Sequence, residues 1–143
     1  MTEAAGIDTI LIFAGLTDYV ESERGDRETM GLPQNQLALI DAMLKTGKKA
    51  VVVLFGVPTV ELPFADRVNA ILRMFLPGRN GGTATARLLC GDKSPSGKLA
   101  ETWLMRYGDV PFGEESGKTI REVYQESIYV GYRCYQTANM PVR

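Results

Sequence analysis

An α/β fold, with a mostly parallel sheet and helices on both faces, is what this sequence predicts, and three observations carry the prediction. Residues 8–15 (Asp-Thr-Ile-Leu-Ile-Phe-Ala-Gly) and 49–56 (Lys-Ala-Val-Val-Val-Leu-Phe-Gly) are nearly unbroken apolar runs, each closed by glycine. Runs of this kind mark parallel strands covered on both faces, whereas a half-exposed strand would alternate. Between them Leu37, Ile40 and Leu44 recur at helical spacing, with Leu39 and Met43 widening the stripe. Strand, amphipathic helix and strand in this order form a right-handed crossover unit.

The remaining elements follow in order. Pro33 suits the first turn of the helix, where its missing N–H costs nothing, and Gly47 supplies the stop. Pro58 and Pro63 bracket a loop, and residues 68–76 fit a third strand with Arg73 near its centre. The turn Pro77-Gly78-Arg79-Asn80-Gly81-Gly82 then leads into a small-residue helix over 83–90, closed by Gly91. Small residues let such a helix approach its sheet closely. A glycine-rich helix start can also hold a phosphate, but this one matches neither the phosphate loop nor the dinucleotide fingerprint, so nucleotide binding ranks third among the functional readings. Residues 98–105 are expected as a short edge strand carrying Trp103, 106–122 as a surface loop, and the aromatic stretch 127–135 as a further strand.

Composition narrows the function. The 143 residues carry 16 basic and 17 acidic side chains, a balance that provides no global field for nucleic acid or an anionic membrane. Without histidine, neither a Ser-His-Asp triad nor a His-ligated metal site can be assembled from this chain, and no cofactor or metal is expected. Cys90 and Cys134 match no metal or redox spacing and read as two buried thiols. The polar start Met-Thr-Glu-Ala-Ala has no signal-peptide pattern, and no apolar run is long enough to cross a membrane, so a cytoplasmic location is expected.

The stretch most suggestive of chemistry is residues 21–36. Glu21, Glu23, Arg24, Asp26 and Arg27 place five charges within seven residues, directly after the first strand and before the helix. Ligand sites in α/β sheets lie at the carboxyl ends of the strands, which makes this loop a site candidate. Taken alone, it is more readily read as a solvated loop with weakly paired charges.

Its neighbours change that balance. The Glu23-x-x-Asp26-Arg27 and Leu32-Pro33-x-x-Gln36 blocks resemble the acid/base loop of family 3 glycoside hydrolases, the β-glucosidases, β-xylosidases and their relatives. In family order come Val-Val-Val-Leu-Phe-Gly, the Pro-Gly-Arg-Asn-Gly-Gly helix start, Gly91-Asp92-Lys93-Ser94-Pro95-Ser96-Gly97-Lys98-Leu99 and Tyr124-Gln-Glu-Ser-Ile-Tyr-Val-Gly-Tyr-Arg133. The resemblance covers nearly the whole chain. It implies that residues 1–143 are an incomplete α/β sandwich domain, without the barrel that carries the aspartate nucleophile in that family. It further implies Glu23 as the acid/base, Glu21 as the rival for that role, and Asp26 and Arg27 as support for the loop. The implied activity is retaining hydrolysis of terminal β-D-glucosyl residues, with the chain a fragment or truncated form, inactive alone. Its implied partners are a β-linked glucoside and a barrel domain in the same parent chain or another.

Arg24 departs from the family pattern, which has glycine there. A cation beside Glu23 favours the ionised carboxylate, the opposite of what a general acid needs. Trp103 and the tyrosines of the last block could stack on a sugar, but packing is the expected role. The alternative function is a non-catalytic domain that binds a sugar or a partner.

Overall fold

The computed structural model describes residues 6–23, 25, 27–56, 58–113, 118, 120–121 and 123–143. The elements run β1 (Thr9–Gly15), α1 (Gln34–Leu44), β2 (Lys49–Phe55), β3 (Ala70–Phe75), α2 (Gly81–Leu89) and α3 (Tyr132–Thr137). The strands form a parallel sheet in the order β1-β2-β3, with Ile12 opposite Val52 and Val53 opposite Leu72. An irregularity between Leu54 and Phe55 brings Phe55 opposite Phe75, which ends β3 in a left-handed conformation (φ 54°).

Alternation along the strands sends side chains to two faces. Ile12, Ala14, Val52 and Leu54 point into a core completed by Ile40 of α1 and by Leu32, Val60, Leu62, Phe64 and Trp103 from the connecting segments. On the other face Leu11 and Phe13 meet α2 across an apolar groove that Phe55, Ala86 and Leu89 also line. Helices therefore lie on both faces, as the apolar strand runs predicted. The central strand is sealed: Ala50, Val52, Val53 and Leu54 expose nothing.

The glycine-rich turn has a packing explanation. A Cβ on Gly81 would stand 2.6 Å from Cγ of Pro77, so the first turn of α2 can sit against the proline only because position 81 is glycine. Inside that helix the Thr85 hydroxyl, buried, donates to the Gly81 carbonyl at 2.8 Å.

Several sequence expectations need correction. Residues 98–105 do not form a strand; Leu104 makes only an isolated antiparallel bridge with Val142, and residues 91–101 are exposed. The stretch 127–135 is likewise no strand. It turns at Ser127 and Gly131, both at positive φ, then enters α3, whose Tyr135 is buried. Aromatic and β-branched content favours strands only where another strand is available to pair with. Leu39 is 49% exposed, so the apolar stripe of α1 is narrower than its sequence suggested. Neither thiol is buried: Cys90 is exposed, Cys134 half-buried, and both are free.

Two surface carboxylates tie elements together. Asp41 of α1 pairs with Lys45 at 2.6 Å and Arg67 at 2.9 Å, and Asp66 accepts a forked pair of hydrogen bonds from Arg143. Hydrogen bonds from Lys45 and then Arg67 hold the Asp41 carboxyl below its ordinary pKa, and Arg143 does the same for Asp66. A carboxyl depressed in the folded state stabilises it above the unfolded pKa, and that contribution fades as pH falls through the folded value. The urea midpoint is therefore expected to drop as the pH is lowered below about 4, less steeply in an Asp41→Asn/Asp66→Asn double variant. Equal slopes for the two proteins would remove these pairs from the acid response.

Candidate functional site

The charged loop begins where β1 ends, and its first anchor is a side chain from α1. Gly15 N–H donates to Oε1 of Gln36 and the Gln36 amide donates back to the Gly15 carbonyl, both at 2.9 Å. Gln36 thus satisfies both polar groups of the last β1 residue as the peptide of a neighbouring strand would. Its place in the Leu-Pro-x-x-Gln block was the only sequence signal of this role. Leucine at position 36 would leave two half-buried groups unpaired, so Gln36→Leu is expected to cost about 1–3 kcal/mol in urea unfolding. A loss below measurement error would show that water replaces the amide.

From there the loop crosses the carboxyl ends of β1 and β2. Val20 and Glu21 N–H both donate to the Thr17 carbonyl at 2.8 Å, and Gly25 N–H donates to Ser22 at 3.3 Å. Arg27 then reaches across to the loop after β2, its Nη2 donating to the Thr59 carbonyl at 3.1 Å. Glu61 N–H donates to the Met30 carbonyl at 2.9 Å, and the two loops are stitched into one layer. A third segment joins through one side chain and one backbone group: the Thr59 hydroxyl donates to the Glu101 carboxylate at 2.6 Å, and Tyr107 N–H donates to the Glu61 carboxylate at 2.7 Å.

The two candidate carboxylates are treated differently by this layer. Glu23 is exposed, and among the described residues no hydrogen bond or ion pair restrains it. Glu21 is half-buried and turned toward the sheet, its Oε2 lying 3.1 Å from where a Cβ on Gly56 would stand. Asp26 and Arg24, each assigned a part by the sequence, lie outside the described residues. A cavity of about 760 Å³ opens beside the loop, lined by Arg27, Thr59, Glu101, Tyr107, Tyr132 and Tyr135; Glu21 and Glu23 do not line it.

Arg73 is the residue whose importance the sequence understated. It stands near the end of β3, donates from Nη2 to the Pro58 carbonyl at 3.1 Å, and lies over the rings of Phe75 (4.5 Å) and Trp103 (5.3 Å). Trp103 is therefore packing, as expected, but Tyr124, Tyr129 and Tyr132 of the last block are exposed and pack little. Among the described residues no group of three or more acidic or thiol side chains could hold a metal ion, and no helix is long and apolar enough to cross a membrane.

The fold is a parallel α/β sheet with a charged, loop-stitched layer over its carboxyl edge. The chain belongs to glycosyl hydrolase family 3, residues 1–132 matching the C-terminal domain of that family. It is 41% identical over 135 residues to thermostable beta-glucosidase B of Acetivibrio thermocellus, covering 94% of this chain and 18% of that protein. It is 36% identical over 140 residues to an exo-alpha-(1->6)-L-arabinopyranosidase of Bifidobacterium longum, covering 94% of this chain and 18% of the relative. The β-glucosidase of Kluyveromyces marxianus solved with glucose superposes with a TM-score of 0.91 at 34% identity, over 99% of this chain and 17% of that one. The chain thus spans less than a fifth of the length of each of these three relatives.

Proposed function

We propose that this chain presents Glu23 as the acid/base carboxylate of a retaining β-glucosidase, with the nucleophile supplied by a barrel domain in the same parent chain or in another. The observation that carries the reading is the contrast between the two carboxylates. Glu23 stands exposed on a loop tied down at both ends, while Glu21 is turned against Gly56. A carboxylate that protonates a leaving oxygen must face outward, toward the sugar.

On this reading the substrate is a terminal β-linked glucoside held between the loop and the barrel, and Arg27 and Asp26 brace the loop. The 143 residues alone do not turn it over, because one carboxylate without its partner supports only half of the retaining mechanism. The relation to an arabinopyranosidase at 36% identity fits a domain that supplies shared chemistry while sugar choice is set elsewhere.

The test joins this chain to a family 3 barrel, in place of the segment it matches in the Acetivibrio enzyme, and measures glucoside hydrolysis with Glu23→Gln as control. Turnover that depends on the Glu23 carboxyl supports the proposal, and turnover indifferent to it overturns it. The cavity beside the loop favours a second reading, sugar binding without chemistry. Saturable glucose binding by a joined protein that never turns over would select that one.

A further inference from the structure

We infer that Arg73 is a positioning residue for the Glu23 loop, acting through Glu21: a cation fixed at the end of β3 against which the root of the loop is set. The role rests on the reading of Glu23 given above, and it concerns the loop's placement rather than contact with substrate.

Three features fix the guanidinium. Its Nη2 donates to the Pro58 carbonyl, its Cζ lies 4.5 Å from the centre of the Phe75 ring, and it lies 5.3 Å from that of Trp103, which is buried at 4% exposure. Held beside two aromatic rings, an arginine loses little freedom on engaging a carboxylate, which a lysine on its flexible stem would not match. Burial pushes the Arg73 pKa down, and the fields of Glu21 and Glu101 oppose that shift. Those two carboxylates come from different segments, Glu21 from the loop after β1 and Glu101 from the segment that also holds Thr59. Glu21 Oε2 lies against Gly56, Gly56 N–H donates to the Phe75 carbonyl at 3.1 Å, and Arg73 lies over the Phe75 ring, so carboxylate and guanidinium stand at the same corner of the sheet, where β2 and β3 end.

Room for Glu21 to reach this region depends on Gly56. That residue sits at φ +116° directly after β2, and a side chain there would press on Glu21 Oε2. Glu21 lies two positions before Glu23, on the turn that Thr17 closes, so the anchoring of one carboxylate sets where the other emerges.

The experiment is amide hydrogen exchange by NMR on the full chain. In Arg73→Met, exchange of the Val20, Glu21 and Gly25 amides is expected to quicken about tenfold, the scale that loss of a charge–charge attraction at a half-buried site gives. The Val52 and Val53 amides in β2 keep their rates. Arg73→Lys recovers part of the loop protection, and Glu21→Gln adds nothing when placed on Arg73→Met. Unchanged loop exchange overturns the inference, as does a uniform acceleration that includes β2, which would mean a role in general stability. Because the readout is loop order, it separates from the catalytic reading. Tenfold loosening with no dependence of hydrolysis on Glu23 would leave the strut standing and remove the acid/base.

Discussion

In the joined protein, Glu23→Gln is expected to slow hydrolysis of a glucoside with a poor leaving group, such as cellobiose, by about a hundred- to ten-thousandfold. The alkoxide expelled from cellobiose is too basic to leave unprotonated, so the first step depends on a proton from the acid/base. An activated aryl glucoside leaves as a stable phenolate and needs no such help. With that substrate the variant should release a burst of phenolate and then stall, because the second step still requires a base to activate water. Glu23→Ala should be rescued by azide, an anionic nucleophile that needs no general base, giving a β-glucosyl azide. Equal losses on both substrates, without a burst, would place Glu23 outside the proton transfer.

How far the sequence could be read depended on whether local pattern or distant partners decided each segment. The strands at Thr9–Gly15, Lys49–Phe55 and Ala70–Phe75 were legible as apolar runs, but the expected cover on both faces holds only for the central one: Leu11 and Phe13 of β1 are about half exposed and β3 buries no residue fully. The helix Gln34–Leu44 was legible through its spacing, although nothing in the spacing says that Leu39 finds no neighbour to cover it. The aromatic stretch after Ser127 misled because strand propensity is a preference for a pleated, paired surface. Among the described residues no strand pairs there, and the short helix Tyr132–Thr137, which buries Tyr135, takes its place. At the site, the position of Glu23 after β1 followed from the order of blocks, but the inward turn of Glu21 did not. Glu21 turns against Gly56, which lies in another element and comes beside the loop only through the sheet register. A charge in the middle of an apolar strand was the one hint of Arg73, and it reads equally well as a break in the strand.

Phe64→Ala is expected to lower the stability of the chain by about 3–5 kcal/mol, a large part of the roughly 5–15 kcal/mol that holds most domains folded. Phe64 is 1% exposed and lies in the segment between β2 and β3, where the chain turns back under the sheet. Its neighbours are held on both sides: Ala65 N–H donates to the Leu62 carbonyl at 3.0 Å, and Arg67 N–H donates to Phe64 at 2.9 Å. A backbone fixed in this way cannot collapse into the space a removed ring leaves, and Ile12, Val52 and Leu54 approach that space from the sheet, where their own backbones are paired. The cavity term should therefore be near the upper end for such a change. Phe13→Ala gives the contrast. Its ring stacks on Phe55 at 6.4 Å but is 58% exposed, so most of its area is already in water and the expected cost is under about 1 kcal/mol. Urea unfolding of both variants, read at constant slope, decides the matter. Comparable losses for the two phenylalanines would mean that the face of the sheet carrying Phe13 contributes as much to stability as the packed one, and the core would have to be redrawn around α2.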